Sequence, residues 1–252
     1  GDSYQRVLAA LPPERRPDLV LLDFTDFSAS PGINLLQFQT KTPRIERSQI
    51  VNNLTQIFQR MHPDNPEAFG PMFMMYLMIA ALLVMEEPGC TVPDIARVFT
   101  SPAYRRHLLT ICTDPQVVDL WKGLASRAGG DAALENIAPY IVCKLTEMLQ
   151  DELVLRVVGQ AVSTIDLREC MDRRRFVLVN LSKGLLSERG SRFLGMLLTS
   201  RLFAAAMGRA ELAPHLRAPF HVVIDEFQNM VSPAIEGALS EGRKYGLRLV
   251  LA

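Results

Sequence analysis

Nowhere in its 252 residues does the sequence carry a GxxxxGK[ST] loop, a CxxC pair or a histidine at zinc-ligand spacing, and it has no excess of either charge. Each absence removes a class of function. Without the glycine-rich cradle whose backbone amides hold phosphates, the chain cannot complete a P-loop nucleotide site by itself. Cys90, Cys112, Cys143 and Cys170 lie roughly 20 to 30 residues apart, so they read as reduced core thiols rather than metal ligands. Reduced thiols, and no secretory leader at Gly1-Asp2-Ser3-Tyr4, point to a cytoplasmic setting. The 27 basic and 27 acidic residues cancel, so affinity for nucleic acid has to come from a local patch or a ring of subunits. No apolar run reaches the ~20 residues of a membrane span. The longest, Met72 to Met85, follows Gly70-Pro71 and stops at Glu86-Glu87, so it reads as a buried helix with no membrane contact.

Four short apolar runs are present and read as strands: Leu19 to Asp23, Phe176 to Leu181, His221 to Asp225 and Leu247 to Ala252. Their continuous apolarity predicts a parallel sheet covered by helices on both faces. Between the first two lie about 150 residues of helical period, broken at Pro63, Pro66, Pro88-Gly89, Pro115 and Gly129-Gly130. The expected architecture is therefore α/β: a core of residues 1–41 and 169–252, interrupted by an all-α subdomain over 42–168. A chain that begins just before a helix and ends inside a strand reads as a segment of a longer protein.

The densest chemistry follows the third strand. His221-Val222-Val223-Ile224 ends in Asp225-Glu226, two carboxylates that a parallel strand would deliver to its carboxyl end, where ligands of α/β sheets sit. In a nucleotide site the first can hold Mg²⁺ through its water shell and the second can activate the attacking water. The same pair also suits a strand-end turn or a helix cap. Arg243 stands eighteen residues beyond Asp225, in Glu241-Gly242-Arg243-Lys244-Tyr245-Gly246 at the end of a helix over Ala234 to Tyr245. It can offer a cation to a neighbouring subunit's γ-phosphate, or with Lys244 it can complement a helix C-terminus that stops at Gly246. Lys183, in the loop Asn180-Leu181-Ser182-Lys183-Gly184, could approach phosphate or DNA, or lie in a plain turn.

These segments together resemble the conjugative coupling ATPases of type IV secretion, the TraG/TraD-like branch of the HerA–FtsK P-loop superfamily. Gly1-Asp2 is similar to the end of the family's "DPHGD" segment, and Leu19 to Asp23 with Pro31-Gly32-Ile33-Asn34-Leu35-Leu36 to its "D…pxGfNpL" stretch. In that stretch Leu36 departs from the usual order. Phe176 to Gly184 resembles "llvnlskG", Ile224-Asp225-Glu226-Phe227-Gln228-Asn229 the Walker B "DEfqnf", and Glu241 to Gly246 "sEgRKyGl". The resemblance implies a RecA-like core with an inserted all-α domain, and ATP and Mg²⁺ as cofactors. Asp225 is then the metal residue, Asp2 and Lys183 join it around the nucleotide, and Glu226 and the Arg243 finger are catalytic. It also implies a homo-hexamer threading DNA, single-stranded or relaxosome-bound, with secretion or relaxosome proteins met by the helical subdomain. The whole protein would then work at the bacterial inner membrane.

Two other functions fit the same residues. One is a non-catalytic partner-recognition module with a vestigial ATPase core, in which the methionines of the Phe69 to Met85 helix line a groove rather than the core. The other is an ATP-driven pump of peptide or protein. Tyr104-Arg105-Arg106 and Arg173-Arg174-Arg175 are the basic runs from which a DNA contact would be built.

Overall fold

The computed structural model describes residues 2–38, 43–62, 69–127, 131–182, 184–225 and 233–252. They form two compact units, one of residues 1–31 with 164–252 and one of residues 32–163. Helices dominate, and the strands form two small parallel sheets of two strands each.

In the discontinuous unit the order is α1 (Asp2–Ala10), β1 (Leu19–Asp23), α9 (Leu167–Asp172), β2 (Phe176–Asn180), α10 (Glu188–Gly208), β3 (Phe220–Ile224), α11 (Pro233–Glu241) and β4 (Leu247–Leu251). β1 pairs with β2, Leu19 opposite Phe176, and β3 with β4, Phe220 opposite Leu247. Among the described residues the two pairs do not join, so the single sheet expected from the sequence is seen as two ribbons. Nor, among the described residues, are both faces covered. Phe220, Val222, Leu247 and Leu249 pack on a core of Met171, Leu202, Ala206 and Ala238, whereas Val223 and Val250 are 71% and 51% exposed on the outer face. Continuous apolarity thus came without two-sided burial. Gly237 lets α11 lie against α10, since a Cβ there would stand 2.8 Å from the Phe203 ring.

The contiguous unit is all helical: α2 (Pro43–Met61), α3 (Pro71–Val84), α4 (Val92–Thr100), α5 (Pro102–Ile111), α6 (Pro115–Arg127), α7 (Asp131–Leu149) and α8 (Glu152–Val158). Four of these begin on a proline, whose missing N–H costs nothing in the first turn. Side-chain caps set other starts: Ser101 accepts from Tyr104 N–H, and Asp151 from the N–H groups of Leu153 and Val154. α3 buries Phe73, Leu77, Ala80, Ala81 and Val84, and receives the indole N–H of Trp121 at Ile79 O. Among the described residues no helix is long and apolar enough to cross a membrane. Met72, Met75 and Met78, however, stay exposed along one stripe of α3.

The two compact units divide the chain at 31/32 and 163/164. The reason is Asn34, which is 1% exposed. Its amide donates to Cys90 O and Ala161 O at 2.8 and 2.7 Å, its Oδ1 accepts Leu36 N–H, and its own N–H reaches Ser163 Oγ. With Ile33 N–H on Val157 O, these bonds make Gly32 to Leu36 part of the helical unit. Of the cysteines, Cys90 and Cys170 are core residues, and burial pushes the Cys90 thiol up to about 12. Cys112 is partly buried and Cys143 exposed.

Replacing Asn34 with Ala strips partners from two carbonyls and an amide inside the unit. We expect a loss of about 2–4 kcal/mol in urea unfolding, followed by the fluorescence of Trp121, the one tryptophan and a residue of the same unit.

Candidate functional site

Because all four strands are parallel within their pairs, each pair has one carboxyl edge, the edge where loops leave toward a ligand crevice in α/β folds. At the edge of β1 and β2 the end residues are Asp23 and Asn180, directly opposite one another. Asp23 Oδ1 accepts from Thr25 N–H at 2.9 Å, from Thr25 Oγ1 at 2.6 Å and from Asn180 Nδ2 at 3.1 Å. Asn180 Nδ2 also lies 3.2 Å from Asp23 Oδ2, while Asn180 Oδ1 accepts Ser182 N–H. Burial alone would raise the Asp23 carboxyl, but the bonds from Thr25 and Asn180 outweigh it and hold the group below its ordinary value. Burial, and after it the Asp23 charge, raises the Tyr4 phenol of α1. Tyr4, Gln5, Thr25, Asn180, Ser182 and Leu185 line an open crevice of about 320 Å³ at this edge. The sequence reading singled out the loop after Asn180 for Lys183 and missed the Asp23–Asn180 clip. Its signal was two strands each ending on a short polar residue, Asp23 and Asn180.

At the carboxyl edge of β3 stands Asp225, exposed in the turn directly after Ile224. Ala252 N–H donates to Ile224 O and carries the ladder to that point. Glu226 and Lys183 lie outside the described residues. Asp2 opens α1, and its side chain is outside the description. Among the described residues no group of three or more His, Cys, Asp or Glu side chains converges to hold a metal. A single exposed carboxylate at a strand end still fits a magnesium ion that keeps most of its water shell.

Arg243 sits elsewhere. The helix expected to carry it ends at Glu241, and Arg243 lies in a 3₁₀ turn, Gly242–Tyr245, that feeds the amino end of β4. Tightening of the last turn follows from the stop that comes next: Gly246 has φ +79°, and a Cβ there would meet Ala218 O and Arg217 O at 3.1 Å. Since β3 and β4 run parallel, Arg243 and Asp225 occupy opposite ends of the same ribbon. Five residues of strand separate them, on the order of 16 Å. One chain does not bring the two together.

Neither basic run forms an open row of cations. Arg105 is buried and donates to Val98 O. Arg173 pairs with Glu169, and Arg175 with Asp18 and the Pro17 carbonyl.

The Asp23 clip gives a pH dependence of defined sign. A carboxyl whose native value lies below its unfolded value of about 4 stabilises wherever both states are ionised, and loses that contribution as pH falls through the native value. Asp23→Asn is therefore expected to lower the melting temperature at pH 7, and the gap from the unsubstituted protein should close in calorimetry below about pH 4. A gap of constant size would remove the carboxylate's charge from the clip.

No protein-family model matches the chain, and no curated protein matches it.

Proposed function

We propose that the chain supplies the Walker B and arginine-finger portion of an ATP-driven DNA translocase, working as a ring of identical subunits with a RecA-like core. The observation that supports this best is the separation of Asp225 and Arg243 to opposite ends of one parallel ribbon. A site built from both then needs the carboxyl edge of one copy and the amino edge of the next. The motif sequence Ile224-Asp225-Glu226-Phe227-Gln228-Asn229 and the Glu241 to Gly246 segment point the same way.

In this reading Asp225, at the lip of β3, would hold Mg²⁺, which would supply positive charge against the phosphates. Glu226 would orient water and accept its proton as the water oxygen bonds to the γ-phosphorus and the bond to the departing ADP oxygen breaks. Arg243 of the neighbouring copy presents a planar guanidinium to the transferred group, and its charge is worth most where water is excluded. These 252 residues carry no GxxxxGK[ST], so in this reading the phosphate cradle comes from residues outside them. DNA as the cargo, and recognition of secretion partners by the helical unit, rest on the family resemblance.

A second reading, the non-catalytic recognition module, is favoured by one observation. Between α2 and α3 runs an open groove of about 440 Å³ lined by Met74, Met75 and Met78 on one side and Asn52, Gln56 and Gln59 on the other. Uncharged amides beside adaptable thioethers suit the apolar face of a partner helix.

Subunit mixing tests the first reading. In the whole protein that carries this chain, Glu226→Gln and Arg243→Ala are each expected to lower MgATP turnover by about 10³-fold. Rings mixed from the two variants should recover turnover, because some interfaces then combine an intact Glu226 with an intact Arg243. Full turnover by either single variant, or no recovery on mixing, would sink the shared site and leave the recognition module standing.

A further inference from the structure

We propose that Arg209 and Arg217 are positioning residues for Arg243, and that they make the Gly242–Tyr245 turn a preformed mount from which that cation is offered to a neighbouring copy. The inference rests on the reading of Arg243 given above.

A 3₁₀ turn at the end of a helix leaves carbonyls without intrahelical donors, and in an exposed turn water would take them. Here arginines do. Arg217 Nη1 donates to Lys244 O at 2.6 Å, and Arg209 Nη1 to Tyr245 O at 3.1 Å. Gly246 N–H closes the turn on Arg243 O at 3.2 Å, and the Tyr245 ring lies under the Arg217 guanidinium at 5.7 Å. The two residues that follow Arg243 are thus both tied down, while Gly242 before it is buried. Arg243 itself points to solvent.

The ties reach into the body of the unit. Arg209, just beyond the end of α10, is fully buried. Its Nη2 donates to Ala218 O in the approach to β3, and its Nε stands 3.0 Å from Asp172 Oδ1 at the end of α9, an ion pair without hydrogen-bond alignment. Arg217 Nε and Nη2 hold Leu212 O, and Nη2 also takes Ala210 O. Each guanidinium therefore spans the turn and a second segment at once. Only a planar fork with donors on several sides can do that, which a lysine ammonium on a single point of attachment cannot reproduce.

Stability is a weak reason for this arrangement. A buried ion pair commonly contributes no more than well-packed apolar residues of the same volume. What two arginines on successive carbonyls do supply is a fixed backbone beneath an exposed cation. A displacement of about 1 Å in a group that must meet a transferred phosphoryl can cost 10²-fold in rate.

Arg217 is the better probe, since it is only partly buried and its loss does not strand Asp172. In the whole protein, Arg217→Ala and Arg217→Lys are expected to lower kcat for MgATP by about 10- to 100-fold with little change in KM. Arg209→Lys, which keeps the charge against Asp172, should do the same. The decisive readout is the pattern on mixing. Arg217→Ala subunits should regain turnover with Glu226→Gln subunits, which bring an intact finger, and should not regain it with Arg243→Ala subunits. A variant that is merely misfolded would recover with neither, and that result would overturn the proposal. So would full turnover by Arg217→Ala and Arg217→Lys where Arg243→Ala is inactive, which leaves the finger standing without its mount. Full turnover by Arg243→Ala itself would remove the finger and the mount together.

Discussion

One fully buried cation organises the discontinuous unit. Arg209 comes at the end of a long helix, on its buried side, where a charge can be taken out of water only if it finds partners. It finds a carboxylate on α9, a carbonyl before β3 and a carbonyl before β4, so three pieces of chain meet on one side chain. Burial pulls its titration down and the Asp172 charge opposes that pull. Asp172 is itself steadied by Arg168, whose guanidinium bridges on to Glu211. The ribbon β3–β4 therefore has its amino end set by polar contacts and its inner face by Leu202, Ala206 and Ala238, while the outer face is left to solvent.

The helical unit solves a similar problem with different chemistry. Asn34 ties its first loop to its last by hydrogen bonds between neutral groups. Elsewhere in the unit, the Glu86 carboxylate pairs with Arg47 and accepts both the N–H and the hydroxyl of Thr113. Burial would raise that carboxyl, and these partners together bring it below its ordinary value. Arg47 in turn donates to Leu82 O near the end of α3, so a mostly apolar helix is anchored where its carbonyls run out of partners. These polar anchors and the methionine groove between α2 and α3 occupy different parts of the unit.

Much of this was legible in the amino-acid sequence, and the reasons are local. Strands β1 to β4 stood out because β-branched and leucine-rich runs were bounded by polar residues, and the helix starts because prolines and capping residues act within one turn. Asp225 at the end of β3 follows from the same reasoning. What escaped was set by tertiary partners. Whether an apolar strand is covered on one face or two depends on what packs there, so Val223 and Val250 could not be read as exposed. Arg209 follows Leu202 and Ala206 on one helical stripe, but the carboxylate and carbonyls that allow a cation to be buried there come from distant segments. Arg105 stands in a run offered for DNA contact, but its partner is the carbonyl of Val98, seven residues back, which the run itself does not reveal. The helix ending at Tyr245 was drawn one turn too long, because the left-handed Gly246 that stops it reaches back through a 3₁₀ turn.

The β1–β2 ribbon joins residues 157 apart in the chain, with the whole helical unit between them. Closing an unstructured loop of roughly 150 residues carries an entropic cost that grows with the logarithm of its length. The helical unit is contiguous, and Asn34 and Ser163, near its two ends, are hydrogen bonded to each other. Once it has folded, the strands on either side emerge from neighbouring points, and the long loop is replaced by a short one. Prior folding of the inserted unit therefore lowers the entropic cost of pairing β1 with β2.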